Sequence, residues 1–467
     1  MSDKLKHQPA KTLSRRDFLR VTGLATSAAV LSACAVQAPQ QAAEQSAGDA
    51  PANEAVTIAW WNQFSTDTTQ QIIPPIVDLY EENNAGVSVE YEISGGPPGG
   101  GDYIEVLLSR IAAGNPPDSI TLWSPPSQFG ARGSLAEIDE FMESAEYAKP
   151  DAFFDAPLNS CKWEGKTYGL PASAGAGTIF INKAMFEDAG LSSAREDFPT
   201  TWEGLQEISE QLNVWEGDEL SRAGIVPWTA SWLKTVWSNL NGGNIFDADA
   251  GAYALNSDEN VEWLTHWVNW LDDQYGGDIE TLNLWGAWGG VYPGEAFNLE
   301  QSAMAIEGSW GLTDAGLTFD WEVVKFPIGP SGNRSVTGFW PNWFSVPAGA
   351  PNPTEAFRFC EHFCTKGWEI WYRAIMDTPA WRDFPEDILT EKLIEEQGEE
   401  RARDLHNFFA EYLEDGAAMW NSPIEDFASD TIDAAIDEIL HTTKSPADAL
   451  AEAQDLVQSR LEETLNS

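Results

Sequence analysis

Histidine and cysteine are scarce in this chain, five and four in 467 residues, and no His-Glu-x-x-His pair, Gly-x-Ser-x-Gly elbow or Gly-Lys-Ser/Thr phosphate loop occurs. Acid–base, nucleophilic and metal-ligating apparatus is therefore thin, and no cofactor is expected. Basic residues are few as well: 26 Lys and Arg face 74 Asp and Glu, for a net charge of -48 and a pI near 4.1. Such a surface repels phosphate backbones, which excludes nucleic acid and makes bare anionic membrane a poor partner. The apolar stretch Val21 to Ala33 has 13 residues, short of the roughly 20 a bilayer core requires. No repeat of solenoid period is present. What is plentiful is aromatic surface, with 22 Trp and 12% aromatic residues. The length implies two or three lobes and excludes a disulfide-stapled miniprotein. Tryptophan offers a flat apolar face and one N–H donor, so the surplus suggests a surface that stacks on a ligand.

The first 34 residues read as an address. Ser14-Arg15-Arg16-Asp17-Phe18-Leu19-Arg20 matches the twin-arginine export pattern, with Arg15 and Arg16 as its signal pair. Leu31-Ser32-Ala33-Cys34 follows as a lipobox, in which the Cys34 thiol is acylated and becomes the new N-terminus. Residues 1–33 are thus expected to be a signal peptide, and 34–53, rich in Ala, Gln, Pro and Ser, a lipidated cysteine with a flexible tether. The signal holds six basic residues and two acidic ones, so its loss leaves a chain near -52. Proteins of saline habitats share this excess of carboxylates, as do some ordinary acidic secreted proteins, and the sequence leaves both open.

Within the mature chain, Glu54–Trp61 reads as a strand, Asp67–Asn83 as a helix interrupted at Pro74-Pro75, Val87–Ser94 as a strand, Tyr103–Ala113 as a helix and Ser119–Trp123 as a third strand. This alternation predicts a parallel sheet whose ligands sit at the carboxyl ends of its strands, which places Trp60, Trp61, Asn62, Trp123 and Ser124 at one rim. Thr167–Asn182, with a small-residue middle, reads as a chain crossing between lobes. Thr200 or Thr201 opens a helix ending near Leu212. Trp232–Leu240 and Glu259–Leu271 are helical, with Trp263, Trp267 and Trp270 as packing residues. Trp321–Pro327 and Asn342–Val346 are expected to return as strands to the first sheet, and the chain from Thr354 is largely helical.

Tyr168-Gly169-Leu170-Pro171, Ile181-Asn182-Lys183-Ala184-Met185-Phe186, Ala189-Gly190-Leu191 and Pro199-Thr200-Thr201-Trp202-Glu203-Gly204-Leu205 succeed one another, followed by Asn241-Gly242-Gly243, Ala303 through Trp310 and Pro353-Thr354-Glu355-Ala356-Phe357. This ordered set resembles the family 1 extracellular solute-binding proteins of ABC transporters, especially the carbohydrate-binding members, across nearly all of residues 54–385. The resemblance implies a two-lobed α/β fold of the type II periplasmic-binding-protein kind, each lobe a mixed sheet flanked by helices and joined by a crossing-strand hinge. It divides the chain into lobe 1 (54–170 plus about 306–350) and lobe 2 (171–305 plus about 351–467). It also implies a protein without enzyme activity that passes a sugar or oligosaccharide to ABC permease subunits; with the lipobox at Cys34, the expectation is a monomer anchored by lipid at the outer face of the cytoplasmic membrane. Where members often carry a charged residue after the first strand, Trp61-Asn62-Gln63 stand here.

A sugar presents apolar C–H faces and a ring of hydroxyls, so its site needs aromatic platforms and a few fixed polar groups. The candidate ligand-binding residues are Trp61, Asn62, Gln63, Trp123, Trp232, Glu307, Gly308, Trp310, Trp340, Trp343 and Asp377. The carboxylates are taken as hydroxyl acceptors, and Gly308 as a place where backbone approaches ligand. Any one of the tryptophans would serve equally as core. Cys360 and Cys364, flanking His362, form half a zinc site without a second pair and are expected as buried free thiols, with a disulfide to Cys161 left open. Asp247, Asp249 and Asp258 lack the rest of a calcium loop and read as a turn. A secreted glycoside hydrolase would also use Trp-lined clefts and paired carboxylates, and a ligand-sensing partner of a membrane receptor would use the same fold.

Overall fold

The computed structural model describes residues 55–92, 102–247, 250–282, 294–314, 316–416 and 421–466. Arg15, Arg16, Cys34, the tether, the Gly95–Gly101 loop and Asp249 lie outside the described residues. The principal strands are β1 (Val56–Trp61), β2 (Val87–Tyr91), β3 (Ser119–Leu122), β4 (Leu170–Pro171), β5 (Gly177–Asn182), β6 (Met304–Gly308), β7 (Trp321–Val324) and β8 (Trp343–Ser345).

One sheet has the order β2-β1-β3-β8-β4, parallel across β2, β1 and β3 and antiparallel at β8 and β4. Alternation along β1 sends Ile58 and Trp60 into the core. There Trp60 meets Phe64, Tyr91, Phe344, Phe359 and Phe363 at centroid distances of 5.2–6.5 Å and donates from Nε1 to Thr121 Oγ1 at 3.0 Å. Trp60 is therefore core and not rim. The helix Asp67–Asn83 begins at Thr66, whose hydroxyl accepts from Thr69 N at 3.2 Å, and runs through Pro74 and Pro75 without the interruption the two prolines predict. Burial of Ile72, Ile73, Ile76, Val77 and Tyr80 on one face offsets the amide bonds the prolines remove.

The second sheet has the order β6-β5-β7, antiparallel throughout, with the fully buried β5 at its centre. A parallel pairing of Ala223 and Gly224 with residues 301–304 extends it. Here the strand expected to return near Trp321 is corrected: Trp321–Val324 pairs with β5, where Trp321 packs 5.8 Å from Phe180. Trp343–Ser345 does join the first sheet. The helix Trp202–Leu212 is capped by Thr201, and Trp263, Trp267 and Trp270 are buried in the second core, as packing residues should be.

Helices Pro353–His362 and Trp368–Ala374 pack into the first core with Ile58, Trp60 and Phe344, whereas Glu425–Leu440 and Pro446–Leu465 pack into the second. The chain from 353 to about 381 thus sits on the first sheet, whereas the division expected from the sequence assigns everything after 351 to the other lobe. Cys161, Cys360 and Cys364 are buried free thiols whose pKa burial pushes up. Among the described residues no helix is long and apolar enough to cross a membrane.

Candidate functional site at the crossing passages

The chain passes between the sheets at 172–176 and 337–342, and these two passages are bonded to each other and to the loop 376–380. Ala172 N donates to Asn342 O at 2.8 Å, Ala174 N to Thr378 O at 2.6 Å, Trp340 N to Ala174 O at 3.0 Å and Ala380 N to Ala172 O at 3.2 Å. The first passage is Ala172-Ser173-Ala174-Gly175-Ala176, all buried. Small residues are needed because the walls come so close: a Cβ on Gly175, whose φ is +44°, would lie 2.7 Å from Trp340 O and 3.1 Å from the Trp310 ring.

Around this crossing stand three of the candidate tryptophans. Trp232 meets Trp340 edge-on at 5.2 Å and 87°, and Trp310 at 6.1 Å and 51°. Trp310 also packs against the first core, while Trp232 and Trp340 pack against the second, so the cluster straddles the two halves. All three remain only partly buried. Gly308 serves this cluster in a way the sequence did not suggest: a Cβ there would fall 2.2 Å from Trp310 ring carbons, so the open space at the glycine is taken by the indole.

Glu307 and Asp377 are the buried carboxyls of the site. Glu307 Oε1 accepts from Gly308 N at 2.6 Å, and burial pushes its pKa up to about 8, against the opposing pull of that N–H and of Trp310. Asp377 Oδ2 accepts from Asn342 Nδ2 at 3.0 Å, and burial pushes its pKa to about 8 against Ser173 and Asn342. Both are mainly un-ionised at neutral pH, and a protonated carboxyl donates as well as accepts. Asp377 Oδ1, Thr378 Oγ1 and Ser309 Oγ are buried without a protein hydrogen-bond partner. Ser173, Ser309, Asn342 and Thr378 were missed in the sequence, although Ser309 stands inside the Glu307-to-Trp310 motif.

The remaining candidates lie elsewhere. Trp61 points to the face opposite Trp60, where the Arg110 guanidinium lies 5.5 Å from its ring and the Tyr103 hydroxyl donates to its carbonyl at 3.1 Å. Asn62 is buried, donating to Glu92 O at 3.3 Å and accepting from Phe64 N at 3.1 Å, which makes it a turn residue. Gln63 is half-buried, with Oε1 unpartnered. Trp343 is core, donating to Ser160 Oγ at 2.8 Å. Trp123, after β3, is 47% exposed. A separate cavity of about 260 Å³ beside β7 is lined by Lys183, Asp320, Trp321, Glu322 and Arg401. Its Arg401 is spent on Glu322 at 2.8 Å and Asp404 at 2.6 Å.

The architecture is that of two-lobed, type II periplasmic binding proteins. CpMnBP1 with mannotriose bound superposes with a TM-score of 0.70 at 20% identity, covering 86% of this chain and 99% of that one. An ABC substrate-binding protein of Listeria monocytogenes in complex with cycloalternan gives 0.70 at 21%, covering 88% and 100%. In sequence the chain is similar to the multiple sugar-binding protein of Streptococcus mutans, 23% identical over 324 residues that make up 66% of this chain and 71% of that protein. The family model for bacterial extracellular solute-binding proteins matches residues 65–368, well over half the chain. The protein belongs to the bacterial extracellular solute-binding protein family.

Proposed function

We propose that this protein captures a neutral sugar or oligosaccharide between its two lobes and delivers it to the permease subunits of an ABC importer. The observation that carries the reading is the cluster of Trp232, Trp310 and Trp340 astride the crossing passages, beside two buried carboxyls and three buried polar oxygens without protein partners. Flat apolar faces suit the C–H face of a sugar ring, and the polar oxygens suit its hydroxyls. The saccharides named with the similar structures, and the sugar named with the Streptococcus mutans relative, agree with this chemistry. Family membership supports binding without turnover. We place lobe 1 at about 55–171 with 343–382, and lobe 2 at about 177–336 with 388–466, the intervening passages forming the hinge. Export by the Arg15-Arg16 signal and acylation at Cys34 complete the reading: a monomer tethered at the outer face of the cytoplasmic membrane.

A ligand that touches both lobes favours the closed state by its differential affinity. It should stabilise the mature chain by about 2.7 kcal/mol at a hundredfold excess over Kd. A thermal-shift screen across sugars, amino acids, polyamines and phosphates, paired with turnover assays on any saccharide that binds, tests the proposal. Stabilisation by saccharides without hydrolysis is the expected result. Hits confined to amino acids or cations, or release of cleaved product, would overturn it.

A further inference from the structure

We infer that the segment Asn421–Asp426 is a clasp that bridges the two lobes through Gln128, Arg132 and the 159–162 turn, and that it governs how long the closed state lasts. The inference rests on the sugar-clamping reading above. Arg132 Nη2 donates to Pro423 O at 2.7 Å, Asp426 N donates to Gln128 Oε1 at 3.4 Å, and Asn421 Nδ2 donates to Lys162 O at 3.2 Å and Asn159 O at 3.4 Å. The partners belong to opposite halves. Phe129, Leu158 and Cys161 pack beneath the first sheet, whereas Ile424, Ala428 and Ile432 pack in the second core. Gln128 is wholly buried, as are Ser422 through Glu425, although Arg132 stays exposed at the edge.

None of these contacts belongs to the crossing passages, so rotation of one lobe about those passages must break or reseat them. The Asp426 amide is one of the first-turn donors of the helix Glu425–Leu440, groups that have no partner within their own helix, and it is satisfied from the other lobe. The same helix is tied to the tryptophan cluster. Lys234, buried and two residues beyond Trp232, donates to Ser429 Oγ at 3.0 Å and Asp433 Oδ2 at 2.9 Å. One rigid element thus carries the clasp at its start and holds the Trp232 segment a turn later. Contacts made in only one of two states shift the equilibrium by their differential free energy, so these favour the joined arrangement in which they form over one with the lobes rotated apart. Gln128, Arg132 and Asn421 act as positioning residues.

The test compares the mature protein with Arg132→Ala, Asn421→Ala, their double variant and Arg132→Lys. Off-rates and on-rates are measured by stopped flow with mannotriose as the probe, the radius of gyration by small-angle scattering without ligand, and the unliganded Tm alongside. The double variant should release mannotriose roughly tenfold faster, the loss expected for a hydrogen bond to a charged donor. Its on-rate should stay within about twofold, its unliganded Tm should hold and its radius of gyration should rise. Arg132→Lys, which keeps one donor, should recover most of the off-rate. An unchanged off-rate, or an off-rate that rises only together with a lowered unliganded Tm, would overturn the clasp. If the wild type binds no saccharide at all, the functional reading fails, and scattering alone decides the clasp: a larger radius for the double variant supports it and an equal radius refutes it.

Discussion

Replacing Glu307 by glutamine probes the buried carboxyl next to the tryptophan cluster without changing its shape. In the native state its pKa is pushed to about 8 by burial, against 4.5 for an exposed glutamate. Between those two values the folded protein keeps a proton that the unfolded chain has released, so stability must fall as pH rises through the window and level off above it. Ionising so deeply buried a group costs on the order of 3–5 kcal/mol. At about 2.1 cal/mol/K of unfolding entropy per residue, a folded unit of this length shifts its Tm by roughly 1 °C per kcal/mol. The wild type should therefore melt about 3–5 °C lower at pH 8.5 than at pH 5 on account of Glu307 alone. Asp377, also pushed to about 8, adds a fall of the same sign. The carboxamide oxygen of the variant can still accept from the Gly308 amide, so Glu307→Gln should match the wild type near pH 5 and decline less steeply. Scanning fluorimetry at half-unit steps from pH 4.5 to 8.5 measures both curves. Parallel curves would mean that Glu307 is ionised in the native protein and that the site carries a charge at neutral pH.

Trp232→Ala, Trp310→Ala and Trp340→Ala should each weaken saccharide binding ten- to a hundredfold or more, about 1–3 kcal/mol, with little change in Tm. Calorimetric titration in low and high salt checks this, and the affinity should vary little with salt because a neutral solute makes no ion pair to screen. Trp343→Ala should behave oppositely, losing about 3–5 kcal/mol of stability because it empties a fully buried site and strips Ser160 of its indole donor. Its denaturant midpoint, set beside that of Trp310→Ala, separates core from cleft. Gly308→Ala would drive a methyl to 2.2 Å from the Trp310 ring, so the indole must move at a cost of about 1–3 kcal/mol. Its affinity should fall toward that of Trp310→Ala, and a wild-type affinity would show that the ring's placement is immaterial. Cys34→Ser should shift the protein from the membrane to the soluble fraction, and retention on membranes after a salt wash would exclude the lipid anchor.

Much of this protein was legible along the chain because the relevant signals are local. Thr201 before a helix, the buried stripe of Trp263, Trp267 and Trp270, and the small residues from Ala172 to Ala176 each declare their role within a few positions, and the ordered motifs from Tyr168 to Phe357 declare the family and the two-lobed fold. Trp232, Trp310 and Trp340 belong to the tryptophans that the sequence sets after strands or beside glycine, positions a cleft draws from, and their rings meet in the structure. What the chain could not announce depends on surroundings assembled from distant segments. Trp60 and Trp61 are neighbours, yet strand alternation sends one into a core built from residues 344–363 and the other under the helix at 103–112. Trp343 looked like Trp340 until β8 inserted it between β3 and β4. Trp321 joined the second sheet because the central strand β5 has an open edge to pair there, and Pro74 and Pro75 were carried inside a helix by the apolar face it buries. The protonation of Glu307 and Asp377 likewise belongs to the tertiary structure alone, since desolvation is a property of everything packed around a carboxyl and of nothing in the residue itself.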